Sequence, residues 1–362
     1  MLEITLQIEF LSIENLRNVI NAELEPSSSI NLITGKNGAG KTTLLESIYL
    51  LARARSFRQS QNINLIRKDA ELLNIFTKIQ NSSGITHKIG LQKKRRTTQV
   101  RKDGGKITRL SDLAKSLPIT VINSNIQRII EDEPKHRRRL LNWGMFHVEH
   151  DFGNLASRYK KALNQRNNAL RKSERQLSVW DKQVATLGSE INKKMVNYVY
   201  ELNTELSLII NQTGIIKPII LEVRSGWRDG FSLIEALNAN KKIDIERGFT
   251  SCGPHRSDVR ILEGSELLKN RLSRGQLKLA ATLMILGQSV IQSNKTGESP
   301  ILLGDDLHSE LDVDSYQSLL NMISKIGMQS FITALDDREE KKIIERCRGK
   351  LFHVEHGSVA TA

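Results

Sequence analysis

"GKNGAGKT", Gly35 to Thr42, decides the fold class. It fits Gly-x-x-x-x-Gly-Lys-[Ser/Thr] and stands where that pattern has physical meaning. The apolar run "SINLIT" precedes it, and "KTTLLESIYLLARA", with Leu44, Leu45, Ile48 and Leu51 at helical spacing, follows it. A strand that runs through such a loop into a helix turns successive backbone N–H groups toward one point. Gly35, Gly38 and Gly40 permit the tight path, and Lys36, Asn37 and Ala39 complete the cradle. Lys41 is expected to reach the β- and γ-phosphates, the Thr42 hydroxyl to ligate Mg²⁺, and the Thr43 hydroxyl to meet the α-phosphate. The expected ligand is ATP with magnesium.

A second element belongs to the same chemistry. "PILLGDDLHSELD", Pro300 to Asp312, starts as an apolar strand and ends in two carboxylates. Asp305 is expected to hold the Mg²⁺ shell and Asp306 to polarise the attacking water as a base. Between the two, "RLSRGQLKLAATLMILGQ" (Arg271–Gln288) reads as an anion-binding turn that opens a helix. A plain N-cap at Ser273 is the bland alternative.

The rest of the chain sets the scale. Its 362 residues hold one large domain with an insertion, or two ordinary ones, and 39% hydrophobic residues supply a core. Lys and Arg number 54 against 40 acidic residues, a net charge of +14 that calls for a polyanionic partner. The N-terminal segment carries Glu3, Glu9 and Glu14 and lacks a signal-peptide layout, and no window approaches a membrane span. The two cysteines, Cys252 and Cys347, form no metal-binding pattern, so a reducing cytoplasm is the expected compartment.

No proline falls between Pro134 and Pro218. Within that span apolar residues from Tyr159 to Ile209 recur at three- and four-residue steps, with Gly188 offering a break. This predicts a helical arm of two or more packed helices, inserted between two halves of an α/β sheet. The expected division is 1–122, the first half of the ATPase lobe; 123–217, the arm; and 218–362, the second half.

Loop, "LSRGQ", acidic strand and "SELD" follow the order of parts in ABC-type ATPase heads, which they resemble. That resemblance implies that Ser273, Gly275 and Gln276 act in trans on ATP held by a partner subunit, with Asp312 at the same interface. It puts Thr333 of "FITALD" (Phe331–Asp336) where many ABC proteins have histidine. More specifically, "IENLRNV", "GKNGAGKTTLLESIYLLARARSFR", "PKHRRRLLNWGMFHVEH", "YKKALNQRNNALR", "GPHRSD", "RLSRGQLKLA" and "DDLHSELD" resemble the RecF family nearly end to end. Departures are Leu16 before Arg17-Asn18, where the family usually has Phe, and Ser124 and Ile126 ahead of the "PKHRRR" block.

The resemblance implies an SMC-like ATPase head with a helical arm, and it adds Arg17 to the nucleotide-binding set. It also implies an ATP-dependent homodimer with weak, slow, DNA-stimulated hydrolysis. Duplex DNA at gaps or junctions, RecR and RecO, and help in loading RecA complete the implied biology. A transporter nucleotide-binding subunit is the first rival; the arm and the basic clusters oppose it. A DNA scaffold that binds ATP without meaningful hydrolysis is the second.

For the DNA contact the candidates are Lys93, Lys94, Arg95 and Arg96; Arg137, Arg138 and Arg139; and Lys160 and Lys161, with Arg158, Arg166, Arg171 and Lys172 nearby. Aromatic residues are only 5%, which argues against base stacking and for a duplex backbone. "GPHRSD" offers His255 and Arg256 to DNA, to an interface or to a structural turn. "FHVEH" occurs twice, Phe146–His150 and Phe352–His356, without the order of a zinc motif.

Overall fold

The computed structural model describes residues 6–58, 65–172, 177–335 and 341–361. Glu3, at the head of the first expected strand, and Asp336, at the end of "FITALD", lie outside them. Two compact units make up the chain: Met1–Ile126 with Gln292–Ala362, and Gln127–Ile291.

The first unit holds two sheets. One is antiparallel, in the order β2-β1-β4-β5-β6-β7. Its strands are β1 (Gln7–Leu16), β2 (Val19–Leu24), β4 (Leu72–Gln80), β5 (Thr86–Lys94), β6 (Thr98–Lys102) and β7 (Gly105–Lys106). Alternation decides its faces: in β4, Leu73, Ile75, Thr77 and Ile79 are buried while Asn74, Phe76 and Lys78 point the other way. The other sheet runs β15-β14-β3-β13-β12-β8. It comprises β3 (Ile30–Thr34), β8 (Ile119–Ile122), β12 (Ile301–Gly304), β13 (Ser330–Thr333), β14 (Lys350–Glu355) and β15 (Ser358–Thr361). From β14 to β8 every pairing is parallel, and only β15 folds back. β3, β12 and β13 are buried throughout, as near-continuous apolar runs in a covered parallel sheet should be.

Helix α1 (Lys41–Arg53) leaves β3 through the glycine-rich loop, and its Leu44, Leu45, Ile48 and Leu51 are at most 1% exposed. They share one core with Leu11 and Ile13 of the antiparallel sheet and Phe331 and Phe352 of the parallel one. A sheet is thus rebuilt from both ends of the chain, as the sequence predicts. A short helix, α2 (Leu110–Ser116), precedes β8.

In the second unit stand α3 (Arg128–Glu131), α4 (Pro134–Val148), α5 (Phe152–Lys172), α6 (Leu177–Thr213), α7 (Leu233–Ala239) and α8 (Lys241–Arg247), with most of α9 (Arg274–Thr296). The final helices, α10 (Val313–Ile326) and α11 (Lys341–Arg346), return to the first unit. A small antiparallel sheet, β9 (Ile220–Arg224), β10 (Asp258–Glu263) and β11 (Glu266–Leu267), completes the second.

Two expectations change here. The segment after Pro218 groups with the arm up to Ile291, because β9 pairs with β10 and Asn203 of α6 exchanges hydrogen bonds with the Leu221 backbone. Gly188 breaks nothing, since α6 runs through it. A Cβ there would lie 2.5 Å from Leu233 and 3.1 Å from Tyr159, so the glycine serves close packing.

Charge without burial also misleads. Arg166, read as a DNA-facing cation, is 0% exposed. Its Nε donates to Asp181 at 2.7 Å, and its Nη1 donates to Asp244 at 2.7 Å and Thr250 at 2.9 Å. Arg137 likewise turns inward, forking onto Asp258 at 2.7 and 3.1 Å and donating to the carbonyls of Ile129, Ile130 and Asp132. Arg138 donates to Ser257 O at 2.6 Å. "GPHRSD" is a structural turn: His255 meets Tyr159 at 2.8 Å and Thr250 O at 3.1 Å, and Arg256 stacks over Phe249.

Candidate functional site

The loop between β3 and α1 has the strained geometry that only glycine tolerates, with φ of 141° at Gly35, 80° at Gly38 and 124° at Gly40. A Cβ on Gly35 would stand 2.3 Å from Val354 O, so the loop lies directly on the end of β14. Asn18 ties it from the other side, its Nδ2 donating to Ala39 O at 3.0 Å and Gly38 O at 3.3 Å. Gly357 N donates to Ala39 O at 3.0 Å. Lys36, Asn37 and Gly38 are exposed at the rim. Gly40 caps α1 with no side-chain hydrogen bond, leaving the helix start to backbone N–H groups and whatever anion they meet.

Lys41 is 7% exposed and folds back, its Nζ donating to Gly35 O and, at 3.2 Å, to Lys36 O. Burial lowers its pKa against the opposing pull of Asp306 and Asp305. A buried ammonium whose hydrogen bonds go to carbonyl oxygens, with the two carboxylates acting on it through space, gains further from an anion entering the loop.

The acidic pair meets the loop here. The Thr42 hydroxyl donates to Asp305 Oδ1 at 2.9 Å, and Thr333 at the end of β13 donates to the same oxygen at 3.1 Å. Thr333 in turn accepts from the Asp306 backbone N–H at 3.0 Å, so one hydroxyl ties both acidic residues together. Asp306 has φ of 54°, a left-handed turn that ends the strand and sends the chain off the sheet. Burial, reinforced by Asp306, raises the Asp305 pKa above its ordinary value despite the two hydroxyl donors. The donors are hard oxygens, the Thr42 hydroxyl and the Asp305 carboxylate. Such a set fits a hard divalent cation that keeps several waters.

Two expected ligand contacts are occupied from within the chain. Thr43 Oγ1 donates to Asn18 Oδ1 at 3.2 Å. Arg17 forks onto Glu46, fully buried in α1, through Nε to Oε2 and at 2.8 Å through Nη2 to Oε1. The Ser56 hydroxyl also donates to Glu46. Sequence reasoning missed Asn18, Glu46 and Ser56. It also missed that the second "FHVEH" lies beneath the loop, where His353 Nδ1 is 3.3 Å from Thr34 Oγ1. The first copy ends α4, with His147 packed on Trp143 and Phe146. Among the described residues no cluster of three or more His, Cys, Asp or Glu could hold a metal ion.

Ser273, Gly275 and Gln276 open α9 in the second unit. Ser273 N donates to Gln276 Oε1 at 3.0 Å and Gln276 N donates to Ser273 Oγ at 3.3 Å, a reciprocal capping box. Both residues are exposed. Asp312 caps α10, accepting from Ser315 N at 2.8 Å and Ser315 Oγ at 2.7 Å, and these bonds lower its pKa.

Lys94, Arg95 and Arg96 form the exposed tip of the β5–β6 hairpin, with Lys93 Nζ 3.2 Å from Thr98 Oγ1. Arg139, Lys160 and Lys161 are exposed on α4 and α5.

Comparison with known proteins gives these parts a family. The model for the RecF/RecN/SMC N terminal domain matches residues 7–358. The DNA replication and repair protein RecF of Shewanella denitrificans is 35% identical over 98% of this chain and 99% of its own length. That of Shewanella sediminis is 35% identical over 96% and 98%. Among solved structures, the recombination mediator protein RecF with ATP, of the RecFOR pathway, is similar with a TM-score of 0.84 and 26% identity, covering 99% and 98% of the two chains. The Smc head domain of Pyrococcus furiosus shares the fold, with a TM-score of 0.61 at 15% identity over 99% and 96%.

Proposed function

The chain belongs to the RecF family of DNA replication and repair proteins, and on that premise we propose that it is an ATP-driven clamp on duplex DNA. Two copies close on two ATP molecules, and each site is completed by the other copy's α9. The observation that carries this reading is the meeting of Thr42, Asp305, Thr333 and Asp306 at the open start of α1.

In this reading the loop N–H groups from Gly35 to Thr43 hold the phosphates, and Lys41 exchanges its carbonyl partners for the β- and γ-phosphate oxygens. Thr42 and Asp305 hold magnesium, which when bound offsets charge developing on the phosphates. Asp306 orients and deprotonates the attacking water. Its short side chain, on a backbone turned to φ 54°, suits slow turnover, because small errors of placement cost rate steeply. Thr333 links the Asp305 carboxylate to the Asp306 backbone. Arg17, tied to Glu46, stiffens the approach to the loop.

In the partner copy, Ser273, Gly275 and Gln276 exchange the capping box for the γ-phosphate, and Asp312 lies at the same interface. The exposed cations Lys94, Arg95, Arg96, Arg139, Lys160 and Lys161, with half-buried Lys93 beside them, meet DNA phosphates. Gapped or junction DNA, RecR and RecO, and indirectly RecA, are the partners the family implies, and the cytoplasm is the compartment.

The test is sedimentation with and without ATP and duplex DNA. Wild type is expected to dimerise only with ATP. Ser273→Arg should remain monomeric while binding ATP as wild type does, and loss of nucleotide binding by that monomer would overturn the trans assignment.

A further inference from the structure

The composition argues against base stacking, yet the fold gathers two of its few aromatic rings on one exposed surface. Phe10 of β1 and Phe76 of β4 stand on the outward face of the antiparallel sheet, ring centroids 6.3 Å apart and tilted by 58°. Both are half-buried. Gly90 of β5 lies directly across from Phe76, and a Cβ there would come only to 4.0 Å of the ring. A glycine inside a strand weakens it and marks close approach by another group. Here it leaves room beside the half-buried ring.

Cations gather toward β5 and β6 on the same face, with one carboxylate, Glu9, held at its end by the Thr86 hydroxyl at 3.1 Å. Lys78 opposes Phe10 across one ladder and Lys88 across the next, and its Nζ lies 5.6 Å from the Phe10 centroid. Arg101 of β6 opposes Gly90. All three cations are exposed. Like charges directly opposed on a sheet destabilise it, and an anion between Lys78 and Lys88 offsets that repulsion. Toward β2 the surface changes to amides: Asn15, Asn21 and Asn74 surround a cleft of about 360 Å³ beside Phe76. There Asn74 is oriented by its bond to Glu14 at 2.6 Å and by Gln92 at 3.1 Å.

Aromatic rings at the centre of an antiparallel sheet, amides on one side and cations on the other, meet the chemistry of unpaired nucleotides. Bases stack and hydrogen-bond by their edges while the backbone follows the positive side. Glu14 of β1 repels phosphate from the amide side, which sets the side that the backbone takes. We propose that this face is a platform for a short run of single-stranded DNA, with a base on Phe76 and phosphates over Lys78, Lys88 and Arg101. The choice of DNA rests on the family reading; the stacking geometry does not.

The experiment compares a fluorescent oligothymidylate with a blunt duplex in titrations of the full chain. Phe76→Ala is expected to weaken oligothymidylate binding roughly tenfold, the loss typical of one stacked base. Phe76→Trp should keep it. Gly90→Val, which favours a strand and covers the ring, should cause a similar loss without lowering Tm. Replacing both Lys78 and Lys88 by Gln should flatten the log–log salt dependence by roughly 0.7 for each phosphate left without its cation. Duplex binding and ATP-dependent dimerisation should be unchanged in Gly90→Val. Wild-type affinity for oligothymidylate in both Phe76→Ala and Gly90→Val overturns the platform and leaves the duplex clamp standing. Equal losses on both DNAs overturn it too, because stacking requires unpaired bases.

Discussion

Two helix starts in this molecule face the same electrostatic problem and solve it differently. At the start of α1, Gly40 offers no side chain, and a glycine loop keeps the helix amides open around Lys41. At the start of α9, Ser273 and Gln276 satisfy each other's backbone N–H groups. Positive potential at a helix N-terminus attracts anions in both cases. The first start therefore depends on an outside ligand for its partner, whereas the second is stable alone and must surrender a cap to engage one. Such a pair suits a site assembled only on dimerisation, with one half waiting for nucleotide and the other at rest.

The largest break in this comparison comes at the chemistry beside α1. Asp306→Asn should cut ATP turnover by about 10²- to 10⁴-fold while ATP binding persists, the range for loss of a general base. Wild-type turnover no higher than that of the variant would favour the non-hydrolysing scaffold. Next, Lys41→Ala should weaken ATP binding by the isolated monomer roughly tenfold to a hundredfold in calorimetry, the value of hydrogen bonds to a charged group. Ser273→Arg in the same assay should change nothing.

Smaller effects separate the two starts without ligand. Ser273→Ala should cost the ATP-free chain about 1 kcal/mol in denaturant unfolding, the worth of an N-cap. Because burial raises the Asp305 pKa above its ordinary 3.8, the folded chain holds that proton more tightly than the unfolded one. The stability this contributes is complete below 3.8 and is lost as pH rises through the raised value. Asp305→Asn keeps an acceptor for Thr42 and Thr333. It should therefore melt slightly above wild type at neutral pH, and the difference should vanish on acidification.

The two starts also differ in how far sequence alone revealed them. The loop, Lys41, Thr42 and the Asp305–Asp306 pair are contiguous motifs, and the strands that carry them are apolar runs with one possible burial. Their meeting follows from parallel pairing of β3, β13 and β12. The Arg17–Glu46–Ser56 cluster and the β14 floor under the loop come from segments that carry no joint pattern. Only topology brings them together. Charge was the least reliable guide: Arg166 and Lys161 look alike in a basic run, yet one lies between two buried aspartates and the other is exposed. Helical phase separates them, since Tyr159, Ala162, Arg166, Ala169 and Leu170 share the buried stripe of α5.

The central claim, that each ATP is shared between two copies, is tested most directly by mixing two inactive variants. Lys41→Ala lacks its own phosphate grip, and Ser273→Arg cannot complete a partner's site. A mixed dimer contains one site with both defects and one with neither. The account predicts that ATP turnover, absent from either variant alone, reappears on mixing. Turnover that stays absent in a mixture shown by sedimentation to contain both chains in one dimer would contradict it.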